Sequence, residues 1–336
     1  MMRSPRGWLP VLAMALVLVG CGTGPVASTP LPVITTSVPP RSATSTTHSA
    51  VPTSGLATSP SRTTATPAPP AASSAGPTRR TSPAPTSPAP PTNPPATDYS
   101  TYSNADLSWW YRPPASLGQN IPATIDPDVA RLISPHDVIW RRQTSAKVVH
   151  LTMDEGYEFE TNSAEILDIA AAKDVRITFF ITGSFLRNNP DIVRRMLREG
   201  HQVANHSEKH LRPSAALATS TQTFINEIRN LERSYQSMMG QPITRLFRPP
   251  EGGYSERSLQ VADDLGYTTV FWSFAYADWD TDEQPDPTAA KNKILGQLHP
   301  GSVILLHAVS DTNVAILAEV IDGIRSRGYT IALLQV

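Results

Sequence analysis

The sequence predicts an α/β fold for residues 146–336, and three observations carry this prediction. Strand-like and helix-like stretches alternate along the segment, which is typical of parallel strands joined by crossover helices. Glycines follow four of the helix-like stretches, at positions where helices commonly end. The segment is long enough to bury a core but short for a regular eight-unit barrel. We therefore expect parallel strands in one domain, arranged as a barrel or as an open sheet.

Seven strands and six helices make up the predicted alternation. The strands are expected at residues 148–153, 176–182, 201–205, 245–247, 268–272, 302–306 and 330–334. The helices are expected at residues 163–172, 190–199, 223–239, 256–265, 288–298 and 313–327. For the second helix, Asn189 is the expected cap before Pro190, and Gly200 is the expected stop.

The N-terminus, residues 1–20, has the pattern of a secretory signal. Two arginines precede an apolar run from Trp8 to Val19, which is short for a membrane-spanning helix. The run ends in Leu18–Cys21, which resembles the bacterial lipobox. This resemblance implies a lipoprotein signal peptide and a lipid on Cys21. It places the protein at the cell membrane, lipid-anchored on the extracytoplasmic face of the cell envelope. The alternative is a plain signal peptide with an incidental cysteine.

Residues 21–103 are predicted to form a disordered linker. Eighteen of the 33 prolines lie there, and the stretch from Gly22 to Thr97 contains no Asp, Glu, Lys or aromatic residue. Such a segment cannot bury enough apolar area to offset its chain entropy. We expect an extended tether, partly polyproline II, that spans at most ~230 Å.

Residues 104–145 show no clear periodicity, and we expect an N-terminal extension that packs on the core. Its aromatic residues Trp109, Trp110 and Tyr111 are expected to face inward. The alternative is that these rings stack on sugar rings at the surface.

Composition excludes two features. The formal net charge is −1, so the chain has no global basic surface for nucleic acid. The chain contains one cysteine, so no intrachain disulfide can form. A secreted domain of this kind has to be stable through its core alone.

Polar residues of catalytic type follow the predicted strands. Active-site groups of α/β folds usually sit at such strand ends. The histidines in this set are spaced i and i+4, which on a helical turn suits two ligands on one metal ion. Together the acids, histidines and arginine suit a metal-assisted hydrolase, although each one alone is as well explained by a polar turn. The set is Asp154, Glu155, His206, His210, Arg248, Asp278 and His307.

These stretches resemble, in order, the five motifs of the polysaccharide deacetylases, the NodB-homology domain of carbohydrate esterase family 4. The matching stretches are residues 152–156, 206–210, 248–252, 278–279 and 305–307. The resemblance covers residues 146–336 and implies a distorted (β/α) barrel of about seven parallel strands. Further stretches, among them residues 254–259 and 299–308, make the muramic-acid deacetylase branch the more similar one.

The resemblance implies a hydrolase that converts N-acetylmuramic acid of peptidoglycan to the free amine and acetate. It also implies a divalent metal, Zn²⁺, as cofactor and peptidoglycan glycan strands as partner, and we expect a monomer. One alternative is deacetylation of N-acetylglucosamine in peptidoglycan or another wall glycan. Another, of a different class, is a degenerate wall-binding domain without catalysis.

Roles for individual residues also come from the resemblance. The implied catalytic residues are Asp154 as general base, His307 as general acid, Arg248 holding Asp154, and Asp278 holding Arg248 or tuning His307. The implied metal ligands are His206, His210 and Glu155. Leu305 and Trp279 are expected to line the acetyl-methyl pocket. A backbone N–H near Glu251 is expected to bind the oxyanion, and the Glu251 side chain lines the sugar groove.

Three positions depart from the family pattern. Glu155 stands where most of the family has a metal-binding aspartate, and its extra methylene moves the carboxylate by about 1.5 Å. Ala275 occupies the place of the first aspartate of the fourth motif, so Asp278 acts there alone. Glu251 replaces an aromatic residue, which exchanges a stacking surface for a charge.

Overall fold

The computed structural model describes residues 97–114 and 116–335 of the chain. The predicted signal peptide, the predicted lipidation site Cys21 and nearly all of the predicted linker lie outside these residues. Within the described part of the chain, no helix has both the length and the apolar character needed to cross a membrane.

The described residues form short strands and longer helices in alternation. The strands are β1 Leu107–Ser108, β2 Val138–Ile139, β3 Val148–Glu155, β4 Thr178–Ile181, β5 Gln202–Asn205, β6 Thr244–Phe247, β7 Gly253–Tyr254, β8 Thr268–Val270, β9 Ser302–His307 and β10 Thr330–Ile331. The helices are α1 Pro127–Ile133, α2 Asn162–Ala172, α3 Gly183–Asn188, α4 Pro190–Arg198, α5 Pro213–Thr219, α6 Thr221–Met239, α7 Glu256–Asp264, α8 Pro287–Gly296 and α9 Asp311–Ser326. Two 3₁₀ turns lie at Tyr99–Thr101 and Pro250–Gly252.

One curled parallel sheet organises the domain. Its strands pair in the order β9, β3, β4, β5, β6, β8 and β2, and β10 pairs with the start of β3. After β8, a parallel bridge from Phe274 to Ile304 brings the chain against β9. The sheet therefore curls toward closure, which confirms the predicted distorted barrel of about seven parallel strands.

Strand β3 shows how the sheet separates two environments. Successive side chains of a strand point to opposite faces. Val149, Leu151 and Met153 belong to the core that contains the helices. The alternate residues Thr152 and Asp154 contact Arg248 on the other face. The carboxyl end of β3 can therefore deliver neighbouring residues to different sites.

The N-terminal extension packs on the sheet and adds a strand to it. Trp109 stacks on Phe271 with a ring separation of 4.3 Å, and its Nε1–H donates to the carbonyl of Trp272. Tyr111 is also buried, whereas Trp110 is 70% exposed. The expectation that all three aromatics face inward is thus wrong for Trp110. Sequence reasoning also missed β2, because its two-residue pairing with β8 produces no periodicity.

Packed structure begins before Asn104, the start predicted for the folded part. The hydroxyl of Tyr99 donates to Asp264 of α7 over 2.9 Å. The N–H of Ser103 donates to Glu256 of the same helix over 3.0 Å. The last residues assigned to the linker therefore contact the domain. Their partners lie far along the sequence, so composition alone did not reveal these contacts.

Candidate active site

The carboxyl ends of β3, β5, β6 and β9 open into one cavity of about 690 Å³. Most residues of the predicted site line it, although they come from different strands. They are Asp154, His206, His210, Glu251, Trp279, Leu305 and His307. Arg248 and Asp278 lie behind this surface and are buried. Glu155 is the exception among the predicted site residues that the structure describes. It does not line the cavity, and its side chain contacts no residue that lines it.

Arg248 holds the carboxylate of Asp154 from the interior of the sheet. The guanidinium is fully buried, and it donates through Nη1 to Asp154 Oδ1 over 2.7 Å and through Nη2 to Thr152 Oγ1 over 2.9 Å. It also stacks over the ring of Phe180 at 4.0 Å. Burial opposes ionisation of Asp154, but the charge and hydrogen bond of Arg248, together with His206 and His307, outweigh burial, and the pKa of Asp154 is lowered. Asp154 is therefore ionised and fixed.

His206 is neutral, and its orientation is fixed by a backbone contact. Its Nδ1 lies 2.8 Å from the carbonyl oxygen of Arg248, which can only accept, so Nδ1 carries the proton. Burial lowers the pKa of His206 to about 4. The unprotonated Nε2 then faces Asp154 Oδ2 at 3.5 Å. Two acceptors point at each other, an arrangement that a cation between them would relieve.

His210 lies beside His206, but the segment between them is a loop. The two ring centroids are 4.9 Å apart. Ser207 and His210 both have positive φ, at 71° and 58°, so the predicted helical turn is wrong. Side chains support this backbone: Asn205 Oδ1 accepts from the N–H of Ser207, and Ser207 Oγ accepts from the N–H of His210. The i, i+4 spacing brings the rings together through a loop held by local hydrogen bonds.

Glu155 departs from its predicted place among the metal ligands. Its side chain is fully buried on the α2 side of β3, where Ser163 Oγ donates to Glu155 Oε2 over 3.2 Å. Ser163 Oγ also donates to Glu158. Burial, together with the charge of Glu158, raises the pKa of Glu155 well above its usual range. The reason is the strand itself, since Glu155 has the same parity as Met153 and faces the helices.

The remaining donors fit a divalent cation. Residues 97–114 and 116–335 contain no cluster of three or more His, Cys, Asp or Glu side chains arranged to hold a metal. His206 and His210 nevertheless offer two imidazoles beside the Asp154 carboxylate. The contact from His206 Nδ1–H to a carbonyl is the outer contact that ligating histidines usually make. Zinc sites with few protein ligands keep open positions for water and substrate.

Asp278 pairs with His307, which decides between the two roles open from the sequence. Asp278 Oδ1 accepts from His307 Nδ1 over 2.8 Å, and Asp278 Oδ2 accepts from the backbone N–H of His307 over 2.9 Å. Burial lowers the pKa of His307, but the hydrogen bond and charge of Asp278 outweigh burial, so the pKa is raised. The imidazole therefore keeps its second proton to higher pH than a free histidine does.

The predicted substrate-contact residues line the cavity in different ways. Leu305 is 3% exposed and forms part of the wall. Trp279 is 59% exposed, with its ring 5.9 Å from that of His307, so it forms part of the rim. Glu251 has a positive φ of 57°, and its carboxylate lies 3.3 Å from Arg212. Its charge is therefore partly balanced.

Sequence reasoning missed three residues of the site. Lys209 and the half-exposed Tyr157 line the same cavity, and both lie inside or next to matched motifs, where position alone would have found them. Asn313 donates to Asp278, but it lies outside every motif, in the first turn of α9. No sequence pattern marks such a contact.

Comparisons with known proteins identify the family of the chain. The sequence profile of a family described as Polysaccharide deacetylase matches residues 141–270. The peptidoglycan-N-acetylmuramic acid deacetylase PdaA of Bacillus subtilis is 33% identical over 227 residues, which are 68% of this chain and 84% of that relative. The peptidoglycan-N-acetylglucosamine deacetylase of Bacillus cereus is 28% identical over 197 residues, 57% of this chain and 88% of that relative.

The fold is also similar to a solved structure. The structure of Bacillus subtilis PdaA, described as a family 4 carbohydrate esterase, matches with a TM-score of 0.64 and 31% sequence identity. The match covers 69% of this chain and 96% of that one. The similarity therefore extends across almost the whole of the solved relative.

Proposed function

Since the chain belongs to the polysaccharide deacetylase family, a family of amide-bond hydrolases, we propose that it removes the acetyl group from N-acetylmuramic acid in peptidoglycan. One observation carries this proposal: a single cavity contains a carboxylate held by Arg248, two adjacent histidines, and a third histidine, His307, held by Asp278. A general base, two metal ligands and a general acid are thus available in one cavity.

Asp154 is the general base of the proposed reaction. Arg248 engages its Oδ1, so Oδ2 is the oxygen that takes a proton from the attacking water. The water oxygen forms a bond to the acetamide carbon. Thr152 Oγ1 accepts from Arg248, and Arg248 in turn holds the carboxylate, so the proton acceptor does not have to be reoriented during the reaction.

His307 is the general acid. Its Nδ1 is bound to Asp278, so Nε2 is the atom that gives a proton to the leaving nitrogen as the carbon–nitrogen bond breaks. The products are acetate and the free amine of the sugar. The raised pKa of His307 suits this role, because the acid has to be protonated at the start of the step.

His206 and His210 are the residues that would hold the metal. A divalent ion such as Zn²⁺ supplies Lewis-acid polarisation of the carbonyl group and of water when it is bound. The backbone carbonyl of Arg248 keeps His206 in the tautomer whose Nε2 is free to donate its lone pair.

The muramic acid assignment is supported by the similarity to PdaA and by one feature of the cavity. Lys209 lines the cavity and is exposed, and the positive charge of its side chain suits the lactyl carboxylate of a muramic acid. The second candidate is N-acetylglucosamine, which the similarity to the Bacillus cereus enzyme favours. Glucosamine has no lactyl carboxylate, so Lys209 is the residue that separates the two.

The test is incubation of the purified protein with Zn²⁺ and defined peptidoglycan strands, with and without stem peptides, followed by mass spectrometry of the products. We expect acetyl loss from muramic acid units. Loss from glucosamine units alone contradicts the substrate assignment. No loss from either sugar, with zinc bound, supports instead a wall-binding domain without catalysis. Lys209→Ala is expected to raise KM for the muramic substrate, whereas Lys209→Arg is expected to leave KM close to the wild-type value.

We also propose that the protein is attached to the cytoplasmic membrane by a lipid on Cys21, with residues 22–96 as the tether. Supporting this are the apolar run ahead of Cys21 and the proline-rich composition after it. Fractionation of cells that express wild type or Cys21→Ser is the test. We expect Cys21→Ser to leave the membrane fraction, and equal partition of both proteins contradicts the anchor.

A further inference from the structure

Asn313 occupies a buried position behind the acid histidine. It lies in the first turn of α9 and is 1% exposed. Its Nδ2 donates to Asp278 Oδ2 over 2.6 Å and to the carbonyl oxygen of His307 over 3.0 Å. Its Oδ1 accepts from the hydroxyl of Tyr276. Both amide hydrogens and the amide oxygen are therefore in use, which fixes the plane of the side chain.

The contacts of Asp278 explain why this matters. Besides Asn313, its donors are the ring Nδ1 and the backbone N–H of His307. Among the described residues, His307 is then the other partner that hydrogen-bonds to Asp278. Without Asn313, the aspartate would be held by the same histidine that it has to orient. Asn313 supplies a hold on Asp278 from another element, α9, whose start is itself capped by Ser310.

We propose that Asn313 is a positioning residue for general-acid catalysis, acting on His307 through Asp278. The inference rests on the proposed function for the role of His307 as acid. By donating to the carboxylate and to the His307 carbonyl together, Asn313 locks the carboxylate and the histidine backbone in one relative geometry. It does not line the cavity, so it is expected to affect kcat and not KM.

The primary test needs no substrate. In the full chain, the proton on His307 Nδ1 is expected to exchange slowly with water and to give a downfield NMR resonance, identified by its loss in His307→Gln. Asn313→Ala is expected to broaden this resonance by faster exchange. Asn313→Leu fills the volume without supplying a donor and is expected to do the same, which separates the lost hydrogen bond from a cavity effect.

The matched control is Asn162→Ala. Asn162 is another buried asparagine, and its Nδ2 donates over 2.9 Å to Asp311, also in the first turn of α9. Removing it costs a comparable hydrogen bond to the same helix turn without touching Asp278 or His307. Both alanine variants are expected to lower the unfolding temperature, but only Asn313→Ala is expected to lose the resonance and, on the order of tenfold, kcat.

The outcomes are distinct. An unchanged resonance in Asn313→Ala and Asn313→Leu overturns the positioning role, as does an equal loss of kcat in Asn162→Ala. If the resonance behaves as expected but the wild type releases no acetate from either glycan, the hold of Asn313 on Asp278 and His307 stands, and the proposed function fails together with the role of that hold in acid catalysis.

Discussion

Asp154 and Glu155 are neighbours in the chain, yet they lie in two different regions. Asp154 faces the cavity, where Arg248 lowers its pKa and keeps it ionised. Glu155 faces α2, where burial raises its pKa and Ser163 is its hydrogen-bond partner. Two carboxyl groups one residue apart thus have pKa values shifted in opposite directions.

The two adjacent carboxylates at the end of β3 therefore belong to two separate sites. The alternation of β3 sends the two side chains to opposite faces, and each face sets its own electrostatics. The face of Asp154 has a buried arginine and three histidines, whereas the helix face has a serine and a second carboxylate, Glu158.

The largest effect is expected from replacing Asp154, the proposed general base. Asp154→Asn cannot take a proton, so kcat is expected to fall by about 10²–10⁴-fold. The substitution also leaves Arg248 buried without a counter-charge, which can destabilise the fold. Circular dichroism is therefore the control that shows whether the variant is folded. Glu155→Gln is the paired control, with kcat close to wild type. Similar kcat values for both variants would show that the two carboxylates do not differ.

Metal affinity is the second property expected to distinguish the cavity face from the helix face. His210→Ala removes a proposed ligand and is expected to weaken Zn²⁺ binding by more than about 100-fold, since outer-shell changes already cost 10–100-fold. Glu155→Gln is expected to leave the affinity unchanged. Competition titration against a chromophoric chelator measures both. A large loss in Glu155→Gln would return that carboxylate to the metal site.

The pH profile tests the cavity face from its other end. Asp278→Asn removes the charge that raises the pKa of His307, so the pKa falls. Activity is then lost at lower pH as the acid deprotonates earlier, and kcat is expected to drop by about 10–100-fold. The measurement is kcat against pH in wild type and variant. An alkaline limb at the same pH in both would exclude His307 as the acid paired with Asp278.

The smallest effect concerns stability on the helix face. The folded-state pKa of Glu155 is raised, so the stability present below its unfolded pKa is lost as pH rises toward the folded value. Glu155→Gln removes this loss and is expected to raise the free energy of unfolding at pH 8 by about 1 kcal/mol. Denaturant unfolding at pH 8 and pH 4 checks it, because at pH 4 the protonated acid resembles glutamine. A decrease at pH 8 would mean that Glu155 is ionised and paired.

Much of the fold was accessible from the sequence because its signals are local. Apolar runs and glycine stops placed all seven predicted strands, including β3 and β9, within a few residues of where they lie. The side of the sheet to which Glu155 points could also be predicted from the sequence. Glu155 follows the apolar residues Val149, Leu151 and Met153 at steps of two, so it points to the same face. The motif resemblance favoured a metal role over this simpler signal.

The sequence by itself determined which chemical groups the protein carries and, through strand periodicity, the edge of the sheet where they gather. Tertiary structure alone decided which groups meet. Asp278 pairs with His307 across 29 residues, and Asn313 joins them from the start of α9. The physical reason is that a side chain's charge state and partner depend on the face and burial it receives, which arise from contacts between elements distant in the chain.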